Sequence, residues 1–179
     1  MATEHELNIY YGPRWLTRDQ SLDRYEYSGY VLGERVRLGE SVIHVNCGNN
    51  PFKGMIADFV GIDPDNPAAD HAMTADQYGY TFIAQKSNVA FCLGAINFGN
   101  TASIEQQIAS VVKLLKRRDS RIYWRSYTSY AGPEYYPWTF EEHVRLAELF
   151  NFNIPEMYYD ADNTIYAEWV QNNPNPMMV

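Results

Sequence analysis

An acidic residue and a short turn are spaced along the chain as in a binding site built at the ends of β-strands. Asp63 ends an apolar run at residues 59–62, and Gly48 lies in a turn that follows the β-branched run 41–45. In parallel α/β sheets, ligands bind beyond the carboxyl ends of the strands. A carboxylate there could accept hydrogen bonds from a ribose diol, whereas the alternative role for Asp63 is to cap the turn before Pro64.

Other polar residues are weaker candidates for chemistry. For Asp76, in a polar loop, a ligand contact and an ordinary solvated acid are equally compatible with the sequence. Asp65, Asp70 and His71 lack the spacing of a metal motif, so we predict a solvated loop and no metal site. His44, inside an apolar run, is typical of a hydrogen-bonded core histidine rather than of a catalyst. The sequence leaves the catalytic residues unassigned.

Six apolar or β-rich runs predict strands, and the last two form an antiparallel hairpin. They are residues 41–45, 59–63, 88–96, 121–125, 155–160 and 164–170. The nearly continuous apolar character of the third run is typical of a central parallel strand that is covered on both faces. Residues 70–74 are compatible with a brief further strand. The short first crossover leaves room for one helical turn near residues 53–57, or for none.

Capping boxes that begin at Thr17, Ser103 and Thr139 predict the starts of three helices. The first ends at Gly33, and residues 1–16 before it form an arm without clear periodicity. The second helix carries an apolar stripe and ends in a basic cluster, which makes it the clearest helix of the chain. The third has apolar positions for one buried side.

The order of these elements resembles the class I S-adenosylmethionine-dependent methyltransferases, and especially the small methyltransferase-like proteins of tailed phages. The resemblance covers most of residues 41–170, and the stretches that carry it are 42–50, 61–63, 75–76, 89–99 and 121–125. It implies an α/β three-layer sandwich around a mostly parallel, seven-stranded Rossmann-like sheet with a C-terminal antiparallel hairpin. Residues 1–40 would be an arm and helix that pack on a methyltransferase-like domain at 41–179, a single domain overall.

The resemblance also implies roles for single residues. The expected contacts of the cofactor, S-adenosylmethionine, are Asn46, Gly48, Asn49, Asp63, Asp76 and Leu93. Asp63 would hold the ribose hydroxyls, and Asp76 the adenine amino group. The expected contacts of the methyl acceptor are Asn97, Tyr127, Tyr135 and Tyr136. The chain departs from the family where His44 replaces an acid and where Asn46 and Asn50 replace glycines.

Charge and composition narrow the classes of partner. The 179 residues carry a formal net charge of −8 and have a pI near 4.9, so we expect no broad nucleic-acid surface. We expect no leader and no bilayer-spanning segment, because the N-terminus lacks a charged-then-apolar pattern and no apolar run is long enough to span a bilayer. We therefore expect a cytoplasmic protein, in the host cytoplasm if it is phage-encoded, with no membrane partner. Cys47 and Cys92 are expected to be packed, reduced thiols.

Two functions follow from these observations. The leading hypothesis is binding of S-adenosylmethionine and transfer of its methyl group to an unidentified acceptor. The alternative is a catalytically inactive methyltransferase-fold module, phage-encoded, that binds a protein partner through the aromatic loop 127–138. The tyrosines of that loop could stack on a planar acceptor, pack under a partner, or form a lid packed on itself.

Overall fold

A single β-sheet and four helices make up the residues that the computed structural model describes, which are 27–129, 134–161 and 163–173. The strands are β1 (Val42–Val45), β2 (Phe59–Ile62), β3 (Val89–Leu93), β4 (Arg121–Tyr127), β5 (Phe152–Asp160) and β6 (Thr164–Gln171). The helices are α1 (Leu32–Arg35), α2 (Ala75–Gly79), α3 (Thr101–Lys113) and α4 (Phe140–Leu149). The strands lie in the order β2-β1-β3-β4-β6-β5.

The first four strands are parallel, and the last two reverse direction in turn. β6 pairs antiparallel with β4, and β5 pairs antiparallel with β6. β5 begins at Phe152, earlier than predicted, and its register with β6 shifts between Asn153 and Glu156. Pro155 lies in this interval, and a proline nitrogen cannot donate to a strand ladder. The sheet therefore ends in an irregular hairpin whose outer strand is β5.

Helices α2, α3 and α4 cover one face of the sheet, and their apolar sides form the larger core with Ile43, Trp124 and other strand residues. α3 begins after Asn100, whose side chain accepts a hydrogen bond from the Ser103 amide at 3.0 Å. The predicted cap at Ser103 is therefore wrong by three residues. α4 begins after Thr139, as its capping sequence predicts.

The opposite face is covered by turns and by one four-residue helix. Leu32 of α1 and Phe52 pack there against Phe91 and Tyr123 of the sheet. Within the described segment 46–58 the chain forms turns and no helix, so the crossover from β1 to β2 is as short as the sequence indicates. The third layer of the predicted sandwich is therefore thin in the described part of the chain.

Within the described residues six strands form the sheet, not the seven that the resemblance implies. The brief strand compatible with residues 70–74 is reduced to a single bridge between Ile62 and His71. Asp70 gives the physical reason, because its carboxylate accepts a hydrogen bond from the Gly61 amide at 2.8 Å. A side chain thus supplies the acceptor that a further strand would provide, and the outer edge of β2 is protected without one.

The predicted arm and first helix fall largely outside the described residues. Within the described part, turns precede α1, which contains Gly33 instead of ending at it. Ser28 donates to the Asp160 carboxylate through both its amide and its hydroxyl, the latter at 2.6 Å. This contact fastens the start of the described chain to the end of β5. No helix among the described residues is long and apolar enough to cross a membrane.

Candidate functional site

The turn after β1 keeps the backbone geometry of a glycine-rich loop although two of its residues are asparagines. Asn46, Gly48 and Asn50 have positive φ angles of 50°, 55° and 56°. Asparagine is among the non-glycine residues that tolerate this conformation. The Cys47 amide donates to the Ile62 carbonyl at 3.1 Å. The turn therefore lies where β1 and β2 end side by side.

Asp63 follows β2 directly and holds two loops together. Its Oδ2 accepts a hydrogen bond from the Gly48 amide at 3.0 Å, and its Oδ1 accepts from the amides of Asp65 and Asn66 at 2.9 and 3.1 Å. The side chain is buried, and burial raises the pKa of Asp63 against the lowering effect of these hydrogen bonds. Three accepted hydrogen bonds leave about one of the roughly four lone-pair positions of a carboxylate for a further donor.

The amide side chains of the same turn contact different neighbours. Asn46 donates to the Ala95 carbonyl at 3.3 Å, which links the end of β1 to the loop after β3. Its Oδ1 is buried and has no hydrogen-bond partner among the described residues. Asn49 is exposed and accepts from the Asn66 side chain at 3.2 Å. Asn46 therefore keeps an acceptor available at the carboxyl end of β1.

A cavity of about 250 Å³ lies between α2 and α3 at the end of β1. Its apolar lining residues are Val45, Ala75, Ala95, Ile96 and Val111, and its polar ones are Thr74, Asp76, Ser103, Gln106, Gln107 and Ser110. Asp76 is exposed at this rim, where it accepts a hydrogen bond from the Ser110 hydroxyl at 3.3 Å. An apolar floor with amides, hydroxyls and one carboxylate at its edge suits a flat heterocycle that carries a donor group.

The residues that α3 contributes to this cavity were missed by the sequence analysis. They recur at positions i, i+3, i+4 and i+7 of the helix, next to its apolar stripe: Ser103, Gln106, Gln107 and Ser110. A polar stripe at that spacing, on a helix that follows a strand end, is the signal that could have found them. Asp76 was singled out from the sequence, and the Thr74–Gln77 capping box of α2 fixes its position.

Leu93 lies on the face of the sheet opposite the cavity that Asp76 lines. It is the last residue of β3 and belongs to the core on the side of α1, away from the cavity lining. The chain then turns at Gly94, which has a φ of +77°, and a Cβ at this glycine would lie 3.2 Å from the Tyr127 ring. Leu93 and Tyr127 are thus neighbours of this turn, outside the cavity between α2 and α3.

The residues predicted to contact a methyl acceptor lie together but are mostly buried. Asn97, Tyr135 and Tyr136 are buried, and Tyr127 is half-buried. The Asn97 side-chain amide donates to the Gly94 carbonyl at 2.6 Å, and the Asn97 backbone carbonyl accepts from the Tyr136 amide at 2.7 Å. In the described residues, the aromatic loop is therefore packed onto the loop that follows β3.

His44 is a core residue on the opposite face from the cavity. Its ring packs edge-on against Phe52 and Phe91, with centroid distances of 5.7 and 5.9 Å. Burial and, to a lesser extent, the charge of Arg125 lower the pKa of His44 to about 3, so it is neutral near pH 7. Its Nδ1 has no hydrogen-bond partner among the described residues, in contrast to the hydrogen-bonded histidine expected. This position therefore offers no negative charge to a ligand.

The acids near β2 serve structural roles. Among the described residues, no group of three or more His, Cys, Asp or Glu side chains is placed to hold a metal ion. Burial, the largest influence, raises the pKa of Asp70, but hydrogen bonds from Lys53, Gly61 and Asn50 outweigh it and hold this pKa below its usual value. The Asp70 carboxylate is therefore ionised near pH 7, and it already accepts hydrogen bonds from other groups of the protein.

Solved structures provide the comparison, since no protein-family model and no curated protein sequence matches the chain. One similar structure is the 1,6-didemethyltoxoflavin-N1-methyltransferase of Burkholderia thailandensis, solved with 1,6-didemethyltoxoflavin and S-adenosylhomocysteine bound. It is 13% identical and gives a TM-score of 0.68 over 97% of this chain and 92% of that chain. Another is the magnesium protoporphyrin IX methyltransferase of Synechocystis PCC 6803 with bound S-adenosylmethionine. It is 14% identical, with a TM-score of 0.60 over 80% of this chain and 75% of that chain.

Likeness at these identities shows the fold. The parallel strands, the reversed β6 and the position of α3 beside the strand ends agree with it. The chain therefore has the class I fold of S-adenosylmethionine-dependent methyltransferases.

Proposed function

We propose that the protein binds S-adenosylmethionine at the carboxyl ends of β1, β2 and β3 and transfers its methyl group to an acceptor that is not identified. The observation that carries this proposal is the cavity between α2 and α3 with Asp76 at its rim. The two similar enzymes support it, because one contains S-adenosylmethionine and the other S-adenosylhomocysteine. The closer likeness to tailed-phage proteins and the cytoplasmic location stay predictions from the sequence.

The adenine end of the cofactor fits the cavity. A purine has two apolar faces, which the aliphatic floor can cover, and an exocyclic amino group that can donate to the Asp76 carboxylate. The volume of about 250 Å³ is below the roughly 300–1,000 Å³ of pockets that enclose a whole drug-sized ligand. The cavity therefore suits the base, while the rest of the cofactor would lie along the strand ends.

The ribose and methionine parts of the cofactor would find fewer unpaired hydrogen-bonding groups at the strand ends. Asp63 has about one lone-pair position left for a ribose hydroxyl, and the Gly48 amide already donates to Asp63. Asn46 Oδ1, a buried acceptor without a partner in the described chain, could accept from the cofactor's ammonium group. His44, which is neutral, replaces the acid that the family has at this position, and Asn46 is a neutral amide. We therefore expect weaker binding of the cofactor's ammonium group than a carboxylate would give.

Methyl transfer requires alignment more than acid–base chemistry. When bound, the sulfonium of S-adenosylmethionine supplies the electrophilic methyl group. The residues of this chain would hold the acceptor in line with that group and exclude water. Asn97, Tyr127, Tyr135 and Tyr136 are the proposed acceptor contacts. Since all but Tyr127 are buried, an acceptor could reach them only after the loop around Tyr135 has moved.

A second candidate is a methyltransferase fold that binds a protein partner without catalysis. The internal contacts of Asn97, Tyr135 and Tyr136 favour it, because these side chains are already engaged where an acceptor would bind. In this case the exposed positions Ser129 and Glu134 of loop 127–138 would contact the partner, since Tyr135 and Tyr136 are buried. Retention of every partner after both positions are changed to Arg would remove this loop as the interface.

Calorimetry with S-adenosylhomocysteine tests the cofactor proposal. Asp76→Ala removes the acceptor at the cavity rim and should weaken binding about tenfold to a hundredfold, as expected for a hydrogen bond to a charged group. Asp58→Ala is the matched control, because Asp58 is also exposed but precedes β2 at the opposite end of the strand. It should leave the affinity unchanged. Equal affinities for the two variants would contradict the proposed adenine site.

Asp63→Ala is a poor test of binding. The Asp63 carboxylate accepts hydrogen bonds from three backbone amides, so its removal would loosen the turn after β1 and the loop after β2. A loss of affinity in this variant would not separate a missing ligand contact from a disturbed fold. Asp76 accepts a single side-chain hydrogen bond and lies at the surface, which makes it the sharper position.

A further inference from the structure

Two segments meet at the edge of the sheet opposite the proposed cofactor site, where the parallel strands begin. They are the loop 80–86 after α2 and the end of α3 at 113–118. The Ser87 amide donates to the Leu114 carbonyl, and the Lys116 amide donates to the Ser87 carbonyl, both at 2.9 Å. These hydrogen bonds place the two segments side by side.

The loop exposes three large apolar side chains. Phe82 is fully exposed at 100% and Tyr80 at 80%, and Ile83 is also exposed. The loop itself is anchored, because the Thr81 hydroxyl donates to the Tyr78 carbonyl at 2.7 Å and Ala84 packs on the main core. Two aromatic side chains and one aliphatic side chain are thus exposed to water on an anchored loop. Burial of these side chains against a partner would be energetically favourable.

Five cations belong to the same two segments: Lys86, Lys113, Lys116, Arg117 and Arg118. Lys86 and Lys113 line one pocket together with Tyr80. All five are exposed, and none forms a salt bridge within the described residues. Within the described part of the chain, Lys86 and Lys116 donate to neutral oxygens, those of the Lys113 carbonyl and the Asn88 side chain. The two segments contain no acid, and Asp119 directly follows the second one. The net charge of −8 therefore does not describe this face, which is locally positive.

We infer that this basic apolar face, formed by Tyr80, Phe82, Ile83 and the five cations, docks the protein on an anionic lipid bilayer. Aromatic and aliphatic side chains insert at the boundary between headgroups and acyl chains, and neighbouring cations pair with anionic headgroups. A polynucleotide surface instead uses a groove that follows the strand. Here the apolar groups protrude from a loop and the cations lie beside them. The charge of the face complements the membrane surface, so the inference departs from the expectation from the sequence that the protein has no membrane partner. The protein would bind the bilayer without crossing it.

Vesicle co-sedimentation of the full chain tests this inference. The probe is phosphatidylcholine vesicles, either pure or with roughly one third phosphatidylserine. We expect the protein to sediment with the anionic vesicles, and added salt should release it. Phe82→Ala should reduce the apparent partition coefficient about tenfold. Tyr159→Ala is the matched control and should have no effect on vesicle binding. It removes an exposed aromatic side chain near the end of β5, away from the edge where the parallel strands begin.

The cations are tested separately. Each one near the surface contributes about fivefold to partitioning, so Arg117→Glu should weaken it tenfold or more, while Arg117→Lys should restore it. Equal sedimentation with neutral and anionic vesicles would overturn the inference. So would unchanged binding by Phe82→Ala, or fluorescence anisotropy showing that a single-stranded oligonucleotide binds this face and vesicles do not. Phe82 and Arg117 do not line the cavity between α2 and α3, so a failure of this inference can be distinguished from a failure of the proposed methyl transfer.

Discussion

His143 makes the fold sensitive to mild acid. Its side chain is 0% exposed and packs against Trp138 with ring centroids 4.5 Å apart, and Trp124 and Trp169 complete its surroundings. Neither ring nitrogen has a hydrogen-bond partner among the described residues. Burial in this apolar cluster lowers the pKa of His143 to about 3, from an unfolded value near 6.5. The folded protein therefore resists protonation of a residue that the unfolded chain protonates readily.

The sign of the effect follows from proton uptake. Between the unfolded pKa of 6.5 and the folded pKa of about 3, only the unfolded chain binds the proton, so the free energy of unfolding falls as the pH falls. The slope is about 1.4 kcal/mol per pH unit for each histidine, or about 2 kcal/mol by about pH 5. His44, whose pKa is also lowered to about 3, adds an equal loss. Together they should remove about 3 kcal/mol between about pH 6.5, where the unfolded histidines are already half protonated, and about pH 5. This is a large part of a typical total of about 5–15 kcal/mol.

Urea unfolding followed by circular dichroism, at about pH 6.5 and about pH 5, measures this loss. His143→Phe keeps an aromatic ring in the cluster but cannot titrate, so it should lose only about half as much stability as the wild type. His44→Phe should behave in the same way. Asp63, whose pKa is raised by burial, acts in the opposite direction, but it is present in every variant and cancels in the comparison. A His143→Phe variant that loses as much stability as the wild type would refute the reasoning.

Two further predictions concern the fold. Asp70→Ala should lower the free energy of unfolding by about 2–3 kcal/mol, because the Gly61 amide loses its acceptor. Asp70→Asn keeps an oxygen for that amide and should cost less, so equal losses in urea unfolding would contradict the role of Asp70. Cys47 and Cys92 are buried, and burial raises the pKa of both thiols. Neither should react with an aromatic disulfide in the native protein, and both should react in urea; a fast native reaction would show that the core opens.

The order of strands and helices could be predicted because it is encoded locally. The apolar run around Val89 and the cap at Thr139 each depend on residues close in sequence, and the structure has β3 and α4 there. The expectation of a seventh strand came from the family resemblance. The described residues lack this strand because the Asp70 carboxylate caps the edge of β2. That contact joins residues nine positions apart through a side chain, so neither periodicity nor capping rules reveal it.

The candidate site was predictable only in part. Asp63 follows from its place at the end of a strand, whereas the role of Asp76 was implied only by the family resemblance, and α2 places Asp76 at the rim of the cavity. The polar stripe that begins at Ser103 was overlooked because the apolar stripe of the same helix dominated its interpretation. The inward packing of Tyr135 and Tyr136 depends on tertiary contacts with Asn97, and tyrosine content alone could not distinguish a lid from an open pocket.

The most direct measurement is a crystal structure of the protein grown with saturating S-adenosylhomocysteine. The proposed function predicts the adenine ring between α2 and α3, with its amino group within hydrogen-bond distance of the Asp76 carboxylate and a ribose hydroxyl near Asp63. An empty cavity at saturating ligand, or a ligand bound elsewhere on the chain, would contradict the central claim. The fold would then be that of a methyltransferase without its cofactor site.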